Sequence, residues 1–119
     1  MYAGMIFYIS SRTPSDVKFF LILPDYLLHF IEYGILMWLV MRLVNNVSII
    51  SAKTCIWAFT AVILFAVSDE FHQSFIPGRD AGIADILADA AGALAAMGIY
   101  VYSKRLKRKR EAKKTKNSN

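Results

Sequence analysis

Apolar residues occupy this chain in long blocks rather than on alternating or single-faced positions. Three blocks reach the roughly 20 residues that a helix needs to cross a bilayer. The first runs from Pro24 to Val44, the second from Lys53 to Phe75 and the third from Gly82 to Ser103. Proline suits the start of a helix, and Asp25 beside it favours the positive end of the helix dipole. The second block is fully apolar only from Cys55 to Val67, too short to span alone. Its helix is therefore predicted to continue through Asp69, Glu70 and Gln73 until Pro77 and Gly78 stop it. A fourth apolar piece, Met1 to Ile9, has the length of half a span. It lacks a basic leader and a cleavage site, so it does not read as a signal peptide. It reads as the outer half of a first helix, or as the remnant of one that starts upstream. The predicted fold is all-α, an integral membrane bundle of about four transmembrane helices with the first one short or truncated.

Composition strengthens this picture. The 119 residues are 56% hydrophobic and 19% charged, with a mean hydropathy of +0.41. A soluble domain carries about 25% charged residues. Such a balance excludes an intrinsically disordered body. The single cysteine, Cys55, excludes a small fold stapled by internal disulfides. CxxC, HExxH, P-loop, GxGxxG and GxSxG patterns are all missing.

Charge divides the chain into a transmembrane domain, residues 1–103, and a tail, residues 104–119. The tail holds nine basic residues against one acid, Glu111, a net of +8. That leaves five bases and eight acids in the first 103 residues, a net of −3. A basic run that directly follows an apolar span suits the cytoplasmic flank of a membrane helix better than a nucleic-acid contact. The tail is expected to be cytoplasmic and disordered. Counting back, the loop between Arg42 and Lys53 is cytoplasmic as well, and the segments 10–23 and 76–82 face outward. The expected location is the cell membrane, multi-pass, with both termini cytoplasmic.

Polar residues inside a membrane helix are costly, roughly 2.5–3.5 kcal/mol for a central Asp, Lys or Arg on the insertion scale. Here they are concentrated. Asp25, His29 and Glu32 fall within about 60° on one helical face, flanked by Tyr33. Asp69, Glu70 and Gln73 share an arc of about 100°, with His72 to one side. Asp85 and Asp89 are four apart, and Gly92 continues their face. With the topology above, all three faces meet at the level of the outer leaflet, near Arg79. Asp25 and Asp85 also fit a plain role as dipole partners, and Asp69 and His72 a place in headgroup water. The small residues Ala84, Ala88, Gly92 and Ala96 let helices approach closely. The same pattern suits a helix-mediated homo-oligomer. Six carboxylates, Asp25, Glu32, Asp69, Glu70, Asp85 and Asp89, cannot all stay ionised side by side in low dielectric. Either some are protonated or a cation completes the site. No metal-ligand spacing is specific, so neither a metal nor another cofactor is expected.

The run from Ser68 to Arg79, Ser-Asp-Glu-Phe-His-Gln-Ser-Phe-Ile-Pro-Gly-Arg, with Asp85-Ile-Leu-Ala-Asp89 and Gly92, resembles the signature of VanZ-like membrane proteins. Phe7 to Ser11 is similar to the segment closing that family's first helix, and Asp25, His29, Tyr33 and Gly34 to the motif opening its second. The resemblance covers about residues 5–103. It implies a small bacterial four-helix membrane protein, in a family whose namesake is associated with resistance to the lipoglycopeptide teicoplanin. The motif residues it carries over are Asp25, His29, Tyr33, Glu70, Gln73, Arg79, Asp85 and Asp89. Many members have Asn where this chain has Asp89, and their first helix is longer.

The leading functional expectation is a binding or modulating protein. Its polar outer-leaflet site would engage a membrane lipid or a lipid-linked envelope molecule, with no nucleic-acid partner. No nucleophile–base pairing is visible, which sets an enzyme second. In that reading Glu70 or His29 is the general base and Arg79 stabilises a phosphate. A third reading makes the polar faces an interhelical network that fixes the bundle.

Overall fold

A computed structural model describes residues 1–11, 24–78 and 82–118 of the chain. Among them are four helices and no strand: α1, Tyr2–Ser10; α2, Asp25–Val47; α3, Ala52–Gln73; and α4, Ile83–Asn117. Arg12, Lys18 and Arg79, assigned above to the outward side, lie outside the described residues.

Local chemistry accounts for the boundaries. Pro24, extended at φ −61° and ψ 146°, precedes α2 rather than opening it, and Asp25 is the acid of the first turn. Ser51 and Thr54 form a reciprocal capping box at the start of α3. The Thr54 N–H donates to Ser51 Oγ at 3.2 Å, and the Ser51 N–H donates to Thr54 Oγ1 at 2.8 Å. α3 keeps Asp69, Glu70 and Gln73 helical and ends at Gln73. The turn that follows reaches Gly78, whose φ of +80° is the left-handed conformation that glycine adopts without steric cost.

α2, α3 and α4 are each long and apolar enough to cross a membrane. Their surfaces agree: Leu39, Leu43, Ile56, Trp57, Leu64, Leu87, Leu94 and Ile99 are all exposed. A water-soluble protein rarely leaves so much apolar surface open. α1, at about 14 Å, crosses half of a hydrocarbon core of about 30 Å. α4, at about 52 Å, is much longer than that core. It runs straight on into the basic segment, so residues 104–117 are helical where the composition suggested disorder. Lys and Arg are good helix formers, and a helix that already exists needs no new nucleus to extend.

Helix pairing fixes the bundle. Trp38 meets Tyr100 edge-on at 4.9 Å, and His29 meets Asp89, so α2 and α4 run parallel. Tyr33 lies against Phe65, which with the other contacts makes α3 antiparallel to α2. α2 and α4 share the largest interface, and the reason is Gly92. A Cβ there would run into the Phe30 carbonyl and backbone, so only glycine permits this approach. The core is built from Ile6, Tyr33, Leu36, Met37, Met41, Ala58, Val62, Ala66, Ala93 and Tyr100. Small side chains on α3, and Ala93 on α4, complement the larger ones of α2, which include two flexible methionines.

Candidate functional site

The start of α2, the end of α3 and the start of α4 lie at one end of the bundle. His29 comes from the second turn of α2 and is 5% exposed. Its Nδ1 lies 2.9 Å from Asp89 Oδ1, and Asp89 is 1% exposed. With Asp89 ionised, its carboxylate accepts, so the proton of this bond sits on His29 Nδ1 and the ring presents Nε2 elsewhere.

Glu70, on the last turn of α3, is 5% exposed. Its Oε2 accepts from the Gly82 N–H at 3.1 Å, which ties the end of α3 to the residue that caps α4. Its Oε1 is buried and has no hydrogen-bond partner among the described residues. Asp85, half-buried on the first turn of α4, completes the group. His29, Glu70 and Asp85 each offer a ligating atom, and these atoms all lie within 4.8 Å of one another.

A second layer stands behind them. Gln73 Nε2 donates to Asp69 Oδ2 at 3.0 Å, and both residues are buried. Tyr33 is fully buried, and its hydroxyl has no partner among the described residues. Of the eight residues singled out from sequence, His29, Glu70, Asp85 and Asp89 therefore come together from three helices. Gln73 and Tyr33 are buried on those helices. Asp25 is exposed in the first turn of α2, a position that suits the helix dipole. Arg79 lies outside the described residues.

Asp69 and His72 are not among the motif residues, and both have partners. By sequence Asp69 fits either the polar face of α3 or headgroup water; it is 1% exposed and holds Gln73. Gln73 four residues on was the available signal. His72 stacks on Phe7, ring centroids 4.2 Å apart, and its Nε2 lies 3.0 Å from Ser11 Oγ. Nothing local could reveal that, because the partners lie some sixty residues away. The Ser11 hydroxyl donates to the Phe7 carbonyl at 2.7 Å. Its oxygen therefore accepts from His72, and the pair lacks the proton direction of an activated nucleophile.

The family model that matches this chain is VanZ/LLP1, over residues 4–106. The chain belongs to the VanZ/LLP1 family. The match takes in most of α1, all of α2 and α3 and the apolar part of α4, and with them every residue of the buried cluster of this VanZ/LLP1 protein. No curated protein and no solved structure matches the chain.

Proposed function

We propose that this VanZ/LLP1 protein binds or modulates an envelope amphiphile, receiving its polar head at the His29–Glu70–Asp85 end of the bundle. The observation that carries this reading is Glu70: a buried carboxylate with one oxygen unpartnered among the described residues, at the end of helices whose outer surfaces are apolar. A buried polar group without a partner is costly, and a ligand head that donates hydrogen bonds removes that cost. Glu70, Asp85 and Asp89 are acceptors when ionised, so the fitting head carries hydroxyl, amide or ammonium groups. The peptide–sugar head of a lipid-linked cell-wall precursor has them. So does teicoplanin, whose acyl tail would lie along the exposed apolar flanks. The basic segment 104–117 favours a cytoplasmic C-terminus and, with it, a cluster in the outer leaflet of the cell membrane.

The test compares wild type with Glu70→Gln at matched membrane levels in a teicoplanin-susceptible Gram-positive host. Susceptibility to teicoplanin and to vancomycin, which lacks the acyl tail, is read in parallel. Protection against teicoplanin alone, lost in Glu70→Gln, is the expected result. Equal susceptibility with and without the wild-type protein removes the drug from the ligand class.

One observation favours a second reading, in which the polar residues act as structural fasteners. His29–Asp89 joins α2 to α4. If Glu70→Gln lowers the melting temperature as much as it lowers function, that reading gains.

A further inference from the structure

The same three side chains make a donor set whose chemistry goes beyond hydrogen bonding. We infer that His29, Glu70 and Asp85 bind one divalent transition-metal ion of the Zn2+ or Mn2+ kind, with Asp89 orienting the histidine. This does not rest on the amphiphile reading, because the ion can be titrated with no lipid ligand present.

Geometry is the first support. The three ligating atoms lie within 4.8 Å of one another. Metal–ligand bonds of about 2.0–2.2 Å put three ligand atoms about 3.3–3.8 Å apart, so side-chain shifts of up to about 1.5 Å close the site. The three donors come from three helices, and the capping bond between Glu70 and Gly82 already fixes α3 against α4.

The second support is Glu70 itself. It is 5% exposed, and its Oε1 is buried with no partner among the described residues. A cation satisfies that oxygen and offsets the repulsion between the Glu70 and Asp85 carboxylates, which low dielectric amplifies.

Asp89 is the third support. Metal-bound imidazoles usually donate their other ring N–H to a carboxylate, which sets the tautomer and raises ligand basicity. With an ionised Asp89, His29 Nδ1 does this at 2.9 Å, and Nε2 is the nitrogen left to ligate. The donor types choose among ions. One imidazole and two carboxylates suit Zn2+ or Mn2+. Calcium takes six to eight oxygens and magnesium prefers to keep its waters.

The experiment titrates ZnCl2 and MnCl2 into the purified full-length chain in detergent, by calorimetry. Co2+ serves as a spectroscopic probe of imidazole–carboxylate ligation. One ion per chain is expected, with at least tenfold weaker binding in Glu70→Gln and in Asp85→Asn. Asp89→Asn should retain the stoichiometry and bind about tenfold more weakly, the loss typical of an outer-shell partner. Glu111→Gln, outside the bundle, should bind as wild type does. Should Glu70→Gln misfold by circular dichroism, the half-buried Asp85→Asn carries the comparison. No saturable binding by wild type, or undiminished binding in Asp85→Asn, overturns the inference.

Discussion

His29 and Asp89 meet at 2.9 Å across the closest helix pair of the protein, and they are sixty residues apart in the chain. The bond joins α2 to α4 two turns inside the bundle, where neither group has water to fall back on. Asparagine at residue 89 can still accept from His29 Nδ1–H, whereas leucine cannot. Polar contacts between membrane helices average about 0.6 kcal/mol and reach about 1.7. Asp89→Asn is therefore expected to lower stability by less than about 1 kcal/mol, and Asp89→Leu by about 1–2. Unfolding by SDS in mixed micelles measures both.

Gly92 and Gly34 face each other across that interface but differ in what a methyl group would meet. A Cβ at Gly92 collides with the Phe30 carbonyl, while one at Gly34 finds its nearest atom, the Gly92 oxygen, at 3.5 Å. Gly92→Ala should separate α2 from α4 and cost about 1–3 kcal/mol, the range for overpacking. Gly34→Ala should be nearly silent. The same SDS titration separates them, and equal losses would mean that the helices are not this close.

Contacts at both ends tie α1 to the rest of the bundle. The Tyr2 hydroxyl donates to the Glu32 carbonyl at 3.3 Å, and at the other end Phe7 and Ser11 hold His72. His72→Ala removes the stack and the hydrogen bond together. Hydrogen exchange across Tyr2–Ser10 should then accelerate several-fold with α4 unchanged. Unchanged α1 exchange would show that Ile6 and its neighbours suffice to hold it.

The basic end of α4 predicts orientation. In a Cys55→Ser background, Ser118→Cys should react with a membrane-impermeant thiol reagent only after the cells are permeabilised. Labelling of intact cells would place the C-terminus outside and move the His29–Glu70–Asp85 cluster to the inner leaflet.

The sequence shows the spans because bilayer thickness imposes one length and one composition on each of them. Lys53–Phe75 was expected and Ala52–Gln73 is found, since the apolar run and the Pro77–Gly78 turn are local signals. The helical state of residues 104–117 was not legible from composition, because what extends it is the span before it. The polar faces of α2, α3 and α4 could be read from helical periodicity. The grouping of His29, Glu70 and Asp85 could not be read as a ligand set, because metal-ligand spacing is visible only when the donors share an element. The pairing of His72 with Phe7 and Ser11 depends on where α1 docks, which no local pattern encodes.

The most direct test of the central claim, that Glu70 belongs to a ligand site, is native mass spectrometry of the purified chain after exposure to envelope lipid extract. Wild type and Glu70→Gln should be compared at equal helicity and melting temperature. An amphiphile bound one per chain to wild type and missing from Glu70→Gln is the expected result. An identical set of bound lipids on both proteins would contradict it, and would leave the buried polar residues as fasteners of the bundle.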